Sequence, residues 1–235
     1  MIEEAQSALA PDALEDETQD ASFDLVSSHT TAPRRALYFA YGSNLSYSQM
    51  RQRCTHDPEQ SGEPVAVARL DHWRWLICER GYANVIPPKA LRVGRQISDG
   101  DQVPISGKDD AVFGLLYDMT CEDEHLLDGY EGIDHHSPKA SPHGKIDPKI
   151  RPREQGDGDY NKWYVPATII QWLGDGQDRE KSMTVLLYVD EERVLPGAPK
   201  PEYISRMNRG IRESVGLGLP EDWVDDVIRR AIPKE

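Results

Sequence analysis

The sequence predicts an α+β domain built on a small, mixed, β-barrel-like sheet flanked by helices, and three observations carry that expectation. Short apolar runs bounded by turn residues fill the middle of the chain, two helical patterns close it, and no helix-sized segment separates most of the strands. The last point argues against a regular alternating βαβ order. With 235 residues the chain can bury one substantial core, so a single catalytic domain over residues 35–235 is expected, preceded by an appendage.

The first strand ends at Tyr38-Phe39-Ala40-Tyr41, where three small residues follow, Gly42, Ser43 and Asn44. Ser46 is placed to cap a helix reaching Cys54, with Tyr47 and Met50 three apart. Val65 to Leu70 and Trp73 to Cys78 read as strands, and Asp71-His72 between them fits a tight reversal or a bend in one long strand. Tyr82 to Ile86 is a strand ended by Pro87-Pro88, which cannot donate to a ladder. Residues 89–110 read as a polar, irregular excursion before a strong strand at Val112 to Tyr117. Thr120 caps a helix from Cys121, with Glu122, Asp123 and Glu124 in the first turn, where the helix dipole favours negative charge, and Leu126 and Leu127 on its apolar face. Residues 134–162, rich in proline, glycine and charge, form a long loop or flap. Trp163 to Leu173 and Met183 to Val189 are strands joined at Gly174-Asp175-Gly176. Pro201 to Val215 and Pro220 to Ile232 are the closing helices, separated by Gly216-Leu217-Gly218.

Formal charge is −14, and residues 1–34 carry eight carboxylates against Arg34 alone, half of that total. This segment lacks periodicity and reads as a disordered acidic arm, unable to bury enough apolar surface to offset its ordering entropy. The acidic balance argues against nucleic acid or an anionic membrane as partner. No run approaches the roughly 18 apolar residues of a membrane span, and no signal-peptide pattern opens the chain, so a cytoplasmic protein is expected. Cys54, Cys78 and Cys121 are odd in number and unpaired in spacing, as expected of inert buried thiols.

Two segments carry chemistry. A strand that stops at Gly42-Ser43-Asn44 before a helix can turn backbone amides toward a carboxylate or phosphate, and small side chains let the ligand approach. The same residues also suit an ordinary turn. In Leu126-Leu127-Asp128-Gly129-Tyr130-Glu131-Gly132, Glu131 sits at an expected helix exit, where the dipole disfavours its charge and, if the site is buried, raises its pKa toward the range useful for proton transfer. A surface glutamate in a glycine-rich exit is the plainer alternative.

Taken together, Tyr38 to Leu45 and Leu127 to Gly132 resemble the γ-glutamylcyclotransferase family, which carries a Tyr-Gly-Ser-x-Leu loop and a catalytic glutamate in a Leu-Asp-x-x-Glu-Gly exit. Pro199 to Tyr203, followed by a helix and Gly216-Leu217-Gly218-Leu219-Pro220, resembles a third family pattern. The resemblance runs from about Tyr38 to Pro220; the acidic arm, residues 89–110 and the insertion after Glu131 depart from the family pattern, and the chain resembles longer fungal-type members in this. It implies a γ-glutamylcyclotransferase-like fold and conversion of a γ-glutamyl amide to 5-oxoproline and a free amine, without cofactor or metal. It implies Glu131 as general acid and base, with Tyr41, Gly42, Ser43, Asn44, Leu45, Tyr164 and Tyr203 as substrate-binding residues. The expected partner is a small γ-glutamyl substrate, a γ-glutamyl amino acid, glutathione or a conjugate; a homodimer is open. Two alternatives remain: the same scaffold acting on another amide or a glutathione-derived secondary metabolite, and a non-catalytic binding module.

Other patterns are weaker. His135, His136 and His143 lie in the loop without further ligands at metal-site spacing, and Asp157-Gly158-Asp159-Tyr160-Asn161 lacks the glycine and glutamate of a calcium loop. Neither a phosphate-loop glycine pattern nor a serine nucleophile elbow occurs.

Overall fold

A computed structural model describes residues 36–174 and 180–235; the acidic arm and residues Asp175 and Gly176 of the expected turn lie outside the described residues. Among the described residues seven strands and six α-helices follow one another as β1 (Leu37–Ala40), α1 (Tyr47–Arg53), α2 (Pro58–Ser61), β2 (Pro64–Asp71), β3 (Arg74–Ile77), β4 (Ala83–Ile86), α3 (Arg95–Asp99), β5 (Ala111–Tyr117), α4 (Cys121–Tyr130), β6 (Asn161–Trp172), β7 (Ser182–Val189), α5 (Pro201–Val215) and α6 (Glu221–Asp226). Strands β1, β5, β2, β6 and β7 close into a barrel in that order. Its pairs are antiparallel except at the seam, where β1 runs parallel to β7 with Tyr38 opposite Leu186. The expected α+β barrel is therefore present.

Apolar alternation explains the closure. Trp163, Val165 and Ala167 of β6 are buried while their neighbours are more exposed, and the barrel packs around Phe39, Tyr117, Trp163 and Tyr188. Strand β2 shifts register twice, between Pro64 and Ala66 and between Val67 and Ala68, the local bends that let a short sheet curl. Gly114 of β5 has a packing reason: a Cβ there would collide with the Ala40 carbonyl and the Phe39 ring.

Asp71-His72 makes neither of the two expected connections. His72 takes a left-handed conformation, φ 67°, and the chain leaves the barrel, so β3 pairs with β4 in a separate two-stranded sheet. Residues 89–110, expected to be irregular, hold α3 and two 3₁₀ turns, Lys89–Leu91 and Gly100–Gln102. The last expected helix is shorter than its pattern: α6 stops at Asp226, and the buried β-branched pair Val227-Ile228 leads into a 3₁₀ turn, Ile228–Arg230. Cys54 and Cys78 are buried, and burial pushes the Cys54 thiol up to about 12; Cys121, in the exposed first turn of α4, is not buried.

The segment from Asp134 to Tyr160 has no helix or strand beyond an isolated bridge between Lys139 and Arg153, and β6 begins at Asn161, inside the expected flap. It is fastened to the body. Arg151 grips Glu191 through Nε–Oε1 at 2.7 Å and Nη2–Oε2 at 2.6 Å, both side chains nearly inaccessible. Glu191 also accepts from Trp163 Nε1 and Asn161 Nδ2, and Gln155 donates to Asp190. Removing one partner of such a pair strands a buried charge. Arg151→Ala is expected to cost about 3 kcal/mol of unfolding free energy, read as a lower urea midpoint at unchanged slope. A variant within about 1 kcal/mol of the parent would mean that the pair does not anchor the loop.

Candidate active site

Where β1 runs out, the chain turns through a 3₁₀ helix, Ser43–Leu45, and enters α1, capped by Ser46, whose Oγ accepts from the Gln49 amide. Leu45 points into the core and is fully buried, which fixes the turn. Opposite, α4 ends in a Schellman motif: the Ile133 amide donates to the Asp128 carbonyl, Gly132 donates to Gly129, and Gly132 takes φ 63°. Glu131 is the residue held at that cap.

The turn and the cap meet through side chains. Asn44 Nδ2 donates to Glu131 Oε1 at 3.1 Å and to the Tyr38 hydroxyl at 2.9 Å. Asn44 Oδ1 accepts from Gln49 Nε2 at 2.8 Å and Arg53 Nη1 at 3.0 Å. Arg53 Nη1 also reaches Glu131 Oε1 at 3.2 Å, and its guanidinium lies over the Tyr130 ring. Both contacts fall on Oε1, and among the described residues none bonds Oε2; the Glu131 side chain keeps 16% of its surface accessible. Burial raises the Glu131 pKa above the usual carboxylate value, against the opposing pull of Arg53, the Asn44 bond and Arg206.

These residues border one cavity of about 210 Å³. Tyr203, from the first turn of α5, closes one wall; its hydroxyl accepts from the amides of Ser43 at 3.1 Å and Ala83 at 3.4 Å, leaving its own proton to give. Burial pushes this phenol up to about 12, so it stays a neutral donor at ordinary pH. Three residues on, Arg206 shares the same helix face and bonds Ser43 Oγ at 2.7 Å and Gln49 Oε1 at 3.1 Å, not a carboxylate. Burial, then the neighbouring Arg53, lower its pKa, so an anion beside it would be welcome. On another wall Arg80 pairs with Asp159 at 2.5 Å, joining the β3–β4 connection to the long loop.

Among the residues that the sequence singles out, Tyr41, Gly42, Ser43, Asn44, Glu131 and Tyr203 line this cavity. The Tyr41 hydroxyl, however, donates to the Tyr188 carbonyl at 2.7 Å and is spent on the framework. Leu45 lies behind the turn in the core. Tyr164 borders a different, smaller depression beside Ile133 and Arg153, because the neighbouring Trp163 takes the inward face of β6. The Ser43 amide, expected to face a ligand, is occupied by Tyr203. Sequence reasoning missed Arg53, Arg80, Tyr160 and Arg206. Only Arg206 had a readable signal, its spacing from Tyr203 on a helix.

No family model matches the sequence, and no curated protein matches it. Solved structures do. The human protein loc79017 superposes with a TM-score of 0.52 at 20% identity, over 85% of this chain and 89% of that one. YkqA from Bacillus subtilis gives 0.50 at 16% identity, over 85% of this chain and 56% of that one. A yeast γ-glutamylcyclotransferase specific to glutathione also aligns, at a TM-score of 0.39 and 12% identity over 76% of this chain and 88% of that one, too loosely to carry an argument. The class defined here is thus a closed-barrel α+β fold shared with the human and Bacillus proteins. Among the described residues no helix is long and apolar enough to cross a membrane.

Gly42 is the tightest point of the site, since a Cβ there would stand 2.8 Å from the Tyr203 hydroxyl and 3.2 Å from the Ala83 side chain. Gly42→Ala should therefore destabilise the protein by about 1–3 kcal/mol. Combined with Tyr203→Phe, which removes the obstructing oxygen, the loss should be clearly smaller than the sum of the two single variants in a double-mutant cycle by chemical denaturation. Additive losses would contradict this packing.

Proposed function

We propose that the protein is a γ-glutamylcyclotransferase-type enzyme: it converts a γ-glutamyl amide to 5-oxoproline and a free amine by intramolecular aminolysis, with Glu131 moving the proton. The observation that carries this reading is that one cavity is lined both by a carboxylate of raised pKa, Glu131, and by an arginine, Arg206, whose hydrogen bonds among the described residues go to the neutral Ser43 and Gln49. A γ-glutamyl group has the complementary ends, an α-carboxylate for Arg206, Tyr203 and Ser43, and an α-ammonium for Glu131.

Fixing both ends folds the glutamyl chain so that its nitrogen faces its own γ-carbonyl. Such positioning is worth several kcal/mol of barrier, up to about 7–11 in well-oriented intramolecular reactions. Glu131 takes a proton from the ammonium through Oε2, and the freed amine attacks the carbonyl, forming the ring C–N bond. The tetrahedral intermediate collapses with cleavage of the original amide C–N bond, and Glu131 returns its proton to the departing nitrogen. The ring nitrogen sheds its second proton to water, and the released amine gains its own there, so the count closes. Asn44 and Arg53 hold Glu131 in place and restrain its basicity; buried Tyr203 and Tyr38 remain neutral donors.

The test incubates the protein with γ-glutamyl-alanine, glutathione and a glutathione conjugate and measures 5-oxoproline. Turnover of at least one is expected, and no product from any of them would refute the assignment. Glu131→Gln, which keeps the Asn44 bond, should lose about 10²–10⁴-fold in kcat. Arg206→Met should chiefly raise KM, lowering kcat/KM by roughly tenfold or more, as loss of a charge-assisted bond does. An active Glu131→Gln enzyme would remove the base.

A further inference from the structure

The geometry points to a binding site for a divalent transition-metal ion, of the zinc class, at the C-terminal part of α4, formed by His125, Asp128 and His135. His125 and Asp128 are three residues apart on one helix face, and the Schellman turn at Gly132 carries the chain back so that His135 stands beside them. The imidazole and carboxylate ligand atoms of the three lie within 4.8 Å of one another, with His135 Nε2 3.5 Å from Asp128 Oδ2 and the two rings 5.3 Å apart.

Two imidazoles and one carboxylate are a donor set that zinc-class ions accept with an open position, and Zn–N and Zn–O bonds of about 2.0–2.2 Å need ligand atoms somewhat closer together than these. Both imidazoles are exposed, so small side-chain rotations close that gap. Asp128, by contrast, is buried and preset. Its Oδ1 accepts from the Tyr188 hydroxyl at 2.7 Å, and the Lys162 ammonium reaches it at 2.7–2.8 Å, an arrangement that orients a ligating carboxylate. Lys162 also holds Glu124 at 2.6 Å, so two carboxylates surround one ammonium and leave the cluster one negative charge for an incoming cation. Its Asp128 lies three residues before Glu131, and the site does not depend on the reaction assigned to that residue.

Zinc chloride titrated into the untagged full-length protein by calorimetry tests this. One ion should bind, and the His125→Ala/His135→Ala variant should lose at least about tenfold in affinity. The His136→Ala/His143→Ala variant, which removes two other exposed histidines of the same region, should bind as the parent does. Both pairs are on the surface, so thermal melts of the metal-free proteins should coincide. No binding by the parent at millimolar zinc, equal binding after loss of His125 and His135, or loss of binding in the other variant would each overturn the site.

Discussion

A single carboxamide holds the site together. Asn44, buried at the end of β1, uses its amide nitrogen on Tyr38 and Glu131 and its amide oxygen on Gln49 and Arg53. Arg53 is an obligate donor, and Arg206 donating to Gln49 Oε1 fixes Gln49 to present its nitrogen, so the Asn44 amide has one orientation: its nitrogen must face Glu131. Its backbone carbonyl accepts from Tyr117 at 3.0 Å, tying the turn to the barrel core. Through this residue β1, β5, α1 and α4 agree on one geometry. An aspartate there would set a second acceptor against Glu131, and an alanine would leave several buried partners unmet.

Around that hub the electrostatics are graded. Glu131 has Arg53 and Asp159 has Arg80, while the half-buried Arg206 bonds, among the described residues, the neutral Ser43 and Gln49. Under the proposed function, the substrate amine would meet Glu131 and its carboxylate would meet Arg206. Asp128, three residues before Glu131, is held by Lys162 and Tyr188; burial raises the pKa of Glu131.

Strands were legible in the sequence wherever apolar runs met turn residues, and β1, β5, β6 and β7 lie close to their expected bounds. What the pattern could not tell is where β3 goes, because a left-handed residue at His72, not hydrophobicity, decides which sheet it joins. The long loop was visible as a lack of pattern, but its anchorage rests on Arg151 and Gln155 finding Glu191 and Asp190 far along the chain. Within the site, Gly42, Ser43, Asn44 and Glu131 stood out because small or misplaced residues at element ends are locally unusual. Arg53 and Arg80 did not, since an arginine in a polar stretch looks the same whether it faces water or a cavity. The role of Tyr203 changed most: it takes the amide that the turn was expected to offer and presents a hydroxyl instead.

The proposed chemistry requires Glu131 to be a carboxylate whose proton affinity burial raises and Arg53 lowers. Titration of its side-chain carboxyl by carbon NMR, in the parent protein and in Arg53→Met, tests it most directly. The parent should titrate above the usual glutamate range, and removing the cation that favours ionisation should move the midpoint to still higher pH, with the acid limb of kcat/KM following it. A midpoint at or below the ordinary glutamate value, or one that does not rise without Arg53, would contradict the account.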